Sequence, residues 1–111
     1  MTHEMDLNPG PFELIKSGRK VIEMRLYDER RKGIQVGDSI VFTNNKTGER
    51  LSVDVINLYR FNSFEELYQY FDKTKLGYSL DEPADPKDME LYYSKERIQQ
   101  YGVLGIEIRV R

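Results

Sequence analysis

The chain has 111 residues, of which 32% are charged and 39% hydrophobic, and a formal net charge of −2. This balance suits a soluble chain with one modest core, so a single domain over 1–111 is expected, and it excludes both a disordered chain and a generic polyanion binder. No apolar run approaches the roughly 20 residues of a membrane span, and with no cysteine and one histidine, His3, neither a disulfide framework nor a zinc site can be assembled. A cytoplasmic location without metal or cofactor is the matching expectation, since the start of the chain lacks a charged-then-apolar export signal.

In chain order, His3–Leu7 can form a short strand. Asn8 is a good N-cap and Pro9 or Pro11 suits a first helical turn. Phe12 and Ile15 then give this helix a buried stripe, and Gly18 ends it. Lys20–Tyr27 alternates as a strand: Ile22, Met24 and Leu26 face one way, Val21, Glu23, Arg25 and Tyr27 the other. Asp28–Lys32 is charged throughout and reads as a loop or one exposed turn.

Ser39–Asn44 alternates again with Ile40 and Phe42 inward, and Asn45-Lys46-Thr47-Gly48 has the composition of a hairpin turn. Glu49–Phe61 is long for a strand, and its apolar phase slips from Leu51, Val53 and Val55 to Ile56 and Leu58. A β-bulge near Val55–Asn57 accounts for the slip and helps a sheet to curl. Ser63-Phe64-Glu65-Glu66 is a capping box, and Phe64, Leu67, Tyr68 and Phe71 recur at helical spacing, which reads as core packing. Lys75–Asp85 is a loop. Asp85-Pro86 starts a short helix carrying Met89, Tyr92 and Tyr93, and Ser94 caps a further turn that Gly102 stops at Tyr101. The last strand, Val103–Val110, points Leu104, Ile106, Ile108 and Val110 inward.

Charge is unevenly placed. Lys16–Lys32 holds seven basic residues against three acids, whereas Asn62–Glu96 holds four against nine. A basic patch around Lys20–Tyr27, away from an acidic helical region, is therefore expected. The polar face of that strand sets an acid, a guanidinium and a phenol in a row with Lys20 at its mouth. It can be a small polar site, or a solvated face with a weak ion pair.

Nucleotide hydrolysis and dinucleotide binding lack their glycine-rich motifs, and a Cys-His nucleophile lacks its cysteine. A serine triad would need His3 in a terminal segment. Ser17-x-x-Lys20 and Lys46-Thr47-Gly48 match fragments of the β-lactamase signature, but no S-D-N accompanies them and the chain is too short. Asp81, Glu82, Asp85 and Asp88 lack calcium-loop spacing. Lys20 with Glu23 is the remaining candidate. A lysine acts as nucleophile or base when burial or neighbouring cations lower its pKa; Arg19 and Arg25 work in that direction and Glu23 against it.

The pattern Gly18-x-Lys20-x-x-Glu23-x-Arg25 is preceded by Pro11-Phe12-x-x-Ile15-Lys16-Ser17 and followed by Val36-Gly37-Asp38-x-Ile40-x-Phe42 and Gly102-Val103-Leu104-Gly105-Ile106. In this order it resembles the ASCH domain of the PUA-like superfamily, over nearly the whole chain. The resemblance implies an α+β fold: a small PUA-like β-barrel of about five to six strands with short helices at the crossings. It also implies an association with RNA. One bacterial ASCH-type enzyme is an N4-acetylcytidine amidohydrolase that uses a lysine, a threonine and a glutamate, and other members are described as RNA-cleaving. Aligned on Gly18-Arg19-Lys20, that lysine corresponds to Lys20, and the threonine position holds Glu23. The glutamate lies beyond the central helix, where this chain offers Asp72, Asp81 or Glu82.

Two expectations follow. In the first, an RNA- or nucleotide-binding module seats a base between Lys20, Glu23, Arg25 and Tyr27 while Lys16, Arg19, Arg30, Arg31 and Lys32 meet phosphate. In the second, a small amidohydrolase deacylates an N4-acetylcytidine-like nucleoside, with Lys20 central and Glu23 as its acid–base partner. A structural domain that acts through a protein partner is a third option, with the acidic helical region as its surface.

Overall fold

A computed structural model describes residues 1–111. The strands are β1 (Thr2–Leu7), β2 (Ile22–Leu26), β3 (Ser39–Asn44), β4 (Arg50–Phe61) and β5 (Val103–Val110). The helices are α1 (Pro9–Lys16), α2 (Phe64–Tyr70) and α3 (Lys95–Tyr101), with 3₁₀ turns at Lys73–Lys75 and Pro86–Leu91. All five strands join one sheet in the order β1-β3-β4-β5-β2. The β1–β3 pair is parallel and the other three are antiparallel.

The sheet curls into a half-barrel, and its two edge strands are tied by one side chain. Arg25 Nη2, on β2, donates to the Asp6 carbonyl, on β1, at 3.0 Å. The expected bulge is present: the β4–β5 register shifts between Val55 and Asn57. The extra residue moves Val55 and Leu58 onto one side of the strand, which is why the apolar phase changes there, and it adds the twist that curling needs.

Apolar side chains form two clusters. The first gathers Phe12 and Ile15 of α1 with Leu7, Ile40, Phe42, Val53, Val55, Leu104, Ile106 and Ile108. The second packs Ile22, Met24, Leu26 and Val103 against Phe64, Leu67 and Phe71 around α2. Strand β5 is thus buried on both faces, where the alternation of Leu104, Ile106 and Ile108 indicated one. Gly105 is the reason: a Cβ there would lie 3.4 Å from Leu67 and 3.5 Å from Phe71, so its bare backbone lets α2 sit directly on the strand.

The helix ends follow the local chemistry. Gly18, at φ 80°, takes the left-handed conformation that ends α1. Ser63 Oγ accepts from the Glu66 backbone N–H at 3.2 Å, as the capping box requires, while Glu66 reaches back to the N–H of Asn62. No helix is long and apolar enough to cross a membrane.

Candidate functional site

The polar face of β2 does not face solvent. Glu23 pairs in register with Ile106, and Arg25 with Leu104. Paired residues share a face of the sheet, so both side chains lie on the side of the first apolar cluster. Lys20 stands just before β2 and makes an isolated bridge with Leu76. Its Nζ lies 3.0 Å from Glu23 Oε1, while Arg25 Nε and Nη2 lie 3.0 and 2.9 Å from Glu23 Oε2. Lys20 is 8% exposed and Glu23 3%. One buried carboxylate is thus held between two cations.

Burial alone would raise the pKa of Glu23. The charges and hydrogen bonds of Lys20 and Arg25 outweigh it and hold the carboxyl below its ordinary value. Burial likewise works against the Arg25 charge, and Glu23 more than restores it. The stem of Lys20 is confined by Gly77, at φ 102°; a Cβ there would lie 3.3 Å from Lys20 Cδ and 3.2 Å from Leu14 Cδ1.

These three side chains line a cleft of about 520 Å³ that runs along the seam between β1 and β2. Asp6, Leu7 and Asn8 form one side. Tyr68 from α2 and Tyr78, Asp88, Tyr92 and Tyr93 from the segment beyond it complete the lining. Tyr78 donates to Asp88 Oδ2 at 2.8 Å, and the Tyr68 and Tyr78 hydroxyl oxygens are 2.9 Å apart. Burial, then the hydrogen bonds to Tyr68 and Asp88, push the Tyr78 phenol well above its ordinary range. The Tyr93 ring stacks on Phe64, with centroids 6.1 Å apart and planes 9° apart. Burial raises its phenol too, against the lowering effect of Arg25. Asp6, Glu82 and Asp88 make the rim acidic. No cluster of three His, Cys, Asp or Glu side chains is arranged to hold a metal ion.

Of the residues expected at a site, the structure brings together Lys20, Glu23 and Arg25. Glu82 also lines the cleft, whereas Asp72 and Asp81 do not. Lys16 is exposed and paired with Glu49 at 2.6 Å, and it lines a smaller pocket of about 260 Å³ on the other side of Lys20. Arg19 is exposed outside the cleft lining, close enough to Glu82 to lower its pKa, after the larger effect of the Ser79 hydrogen bonds. Tyr27 lies under the Arg60 guanidinium, 3.9 Å from its ring centroid. Arg31 pairs with Asp28 at 3.1 Å and Lys32 with Glu29 at 3.0 Å, while Arg30 projects into solvent.

Sequence reasoning missed the tyrosine wall. Tyr68 follows Leu67 in the apolar stripe of α2, so its spacing gave no reason to separate it from the core. It sits at the margin of the stripe, where an amphipathic side chain packs its ring and keeps its hydroxyl for a polar partner, here Tyr78. Tyr78, Asp88 and Asp6 come from a loop, a turn and a strand edge, and only tertiary contacts assemble them.

The ASCH domain model matches residues 5–110. The crystal structure of hypothetical protein PH0355 is similar over 100% of both chains, at 35% identity and a TM-score of 0.85. Protein PF0455 from Pyrococcus furiosus, solved by NMR, is 34% identical over 99% of this chain and 97% of its own, with a TM-score of 0.77. ASCH from Zymomonas mobilis shares the fold, with a TM-score of 0.69 over 97% of this chain and 66% of its own, at 13% identity. No curated protein matches the chain. On the match across nearly its full length, the chain belongs to the ASCH domain family.

Proposed function

We propose that this ASCH domain binds a nucleoside unit, free or within a nucleotide or RNA, in the cleft between β1, β2 and the tyrosine wall. The observation that carries this is a buried Lys20–Glu23–Arg25 cluster that shares the lining of a cleft of about 520 Å³ with four tyrosines. Planar aromatic walls suit a flat heterocycle, and fixed charges at the floor suit its polar edge. RNA association of the family supports the same reading. The rim carboxylates of Asp6, Glu82 and Asp88 disfavour a phosphate inside the cleft, so any phosphate lies outside it.

A second reading, amide hydrolysis of an N4-acylated cytidine, is favoured by the 3.0 Å contact of Lys20 with Glu23. In such a reaction water adds to the acyl carbon and Glu23 takes its proton. Lys20 donates to the carbonyl oxygen. The C–N bond breaks as the proton passes to the leaving nitrogen, giving a carboxylic acid and the free amine. A general base works best with a pKa near the working pH, and Glu23 lies below the ordinary carboxylate range. That ranks binding above hydrolysis.

Calorimetric titration of the protein with cytidine, adenosine, guanosine and uridine tests the first reading, and chromatography of N4-acetylcytidine incubations tests the second. Saturable binding without product supports the binding cleft. Deacylation that is abolished in Lys20→Met makes the protein an amidohydrolase. Absence of both removes the cleft as a nucleoside site.

A further inference from the structure

Tyr27 lines no part of the cleft; its ring holds a cation instead. The Arg60 guanidinium carbon lies over that ring, 3.9 Å from its centroid, which is contact distance. Arg60 on β4 and Arg25 on β2 both pair with Leu104 on β5, so the two side chains leave the same face of the sheet. Neighbouring strands lie about 4.8 Å apart, which sets the two backbones about 10 Å apart. Arg25 lines the cleft and Arg60 stands beyond its lining.

Arg60 is fixed without being neutralised. Every arginine of the chain reaches an acid except Arg19, Arg30, Arg60 and Arg109. Of these four, Arg60 is the one held by an aromatic ring. The ring orients the guanidinium and takes none of its charge, so its five N–H donors remain for an acceptor from outside. The acids nearest to Tyr27 in the chain are engaged by other cations: Asp28 by Arg31 and Arg97, Glu29 by Lys32. The Lys32 ammonium, 5.9 Å from the same ring centroid, adds to the positive field there.

We infer that Arg60, held by Tyr27, contacts a phosphate of a single-stranded RNA beside the cleft. The inference deepens the nucleoside reading above, which sets any phosphate outside the acidic rim. A planar guanidinium offers two parallel N–H groups to two phosphate oxygens, and a guanidinium already oriented by stacking loses less freedom when it does so. A strand with one base in the cleft needs to run only a short way along the same face to reach it. Tyr27 therefore serves the site through Arg60 and does not seat a base itself.

The test is fluorescence titration of the full chain with short oligocytidylate and oligouridylate RNA at several salt concentrations. Arg60 is exposed, so its variants spare the core. Arg60→Met should weaken binding of both RNAs by about tenfold, because one charge-assisted contact is lost and a phosphate carries no sequence. It should also flatten the log–log salt slope by about 0.7. Arg60→Lys keeps the charge and loses the fork, so it should keep the slope and recover only part of the affinity. Native affinity and slope in Arg60→Met overturn the inference, as does a loss confined to one of the two RNAs, which would mark a base contact. Full affinity in Arg60→Lys overturns the role of the stacked fork. Calorimetry of the native protein with cytidine and uridine separates the two claims. RNA binding that depends on Arg60 without nucleoside binding removes the cleft reading and keeps the phosphate contact. Nucleoside binding without any effect of Arg60 on RNA does the reverse.

Discussion

Two neighbouring stretches of this chain carry similar charge and differ entirely in what they do with it. Lys20–Arg25 folds inward: its carboxylate is 3% exposed and its two cations converge on that carboxylate at the floor of a cleft. Asp28–Lys32 lines no cleft: Arg31 answers a buried Asp28, while Glu29, Arg30 and Lys32 stay exposed and Lys32 answers Glu29. Charge counted along the chain merges them into one basic patch. Strand pairing separates them, because β2 shares a face with Leu104 and Ile106 while the turn that follows pairs with no strand. A local excess of lysine and arginine therefore becomes a site only where those side chains converge on one buried acid beside a cleft.

The largest expected effect of breaking this contrast is at Glu23. Glu23→Gln keeps the shape and removes the charge, which leaves Lys20 and Arg25 buried beside each other without a counter-ion. Breaking a buried pair from one side costs about 3–5 kcal/mol. Urea unfolding at neutral pH should show a loss of that order, and nucleoside binding should be lost with it. A cost below about 1 kcal/mol, the range of exposed pairs, would put the floor on the same footing as the loop.

Acid sharpens the same difference. The folded-state pKa of Glu23 is held below its ordinary value of 4.5, so the ionised carboxylate stabilises the fold above that value. The contribution is lost as pH falls from about 4.5 through the lower folded-state value. Asp38 adds to the same acid slope: the His3 hydrogen bond, then the Gln35 N–H, hold its pKa at about 2 against an ordinary 3.8. The urea midpoint of the native protein should therefore drop between pH 6 and pH 3, and that of Glu23→Gln should drop less. Parallel curves would show that Glu23 does not carry its share of the slope.

Gly77→Ala should cost less, about 1–2 kcal/mol for a side chain at positive φ. It also places a methyl group 3.3 Å from the Lys20 stem and so shifts the ammonium at the floor. Weaker cytidine binding together with this modest loss of stability is the expected pair of results. Unchanged affinity would mean that the stem of Lys20 is not what positions its charge.

Much of the fold was legible because it rests on local signals. The bulge showed as a phase slip from Val55 to Leu58, α2 as a capping box, and the end of α1 as Gly18. The family pattern pointed to the barrel and to Lys20, Glu23 and Arg25. Burial of both faces of β5 was not legible, because it turns on Gly105, a residue whose contribution is an absent side chain. Nor was the wall. Tyr68 carries the same apolar ring as its core neighbours, and its hydroxyl gains a role only when Tyr78 and Asp88 arrive from a different part of the chain. Alternation in β2 correctly put Glu23 and Arg25 on one face, but it could not tell whether that face was wet.

The smallest effects belong to the loop, and they separate two cations that look alike in sequence. Arg30→Ala and Lys32→Ala should each change stability by less than about 0.5 kcal/mol, as surface substitutions do, and neither should alter the affinity for cytidine. They should differ in RNA binding. Lys32 already has Glu29 at 3.0 Å and would have to leave it to meet a phosphate. Arg30 is exposed and has no such partner, so it is the loop cation free to make the contact. Titration of a short single-stranded RNA at several salt concentrations should give a log–log slope that Arg30→Ala flattens by about 0.7, the change for one phosphate contact, while Lys32→Ala leaves it unchanged. Equal flattening by the two would show that the Glu29 pair opens on RNA, and that charge pairing in the loop is weaker than its geometry suggests.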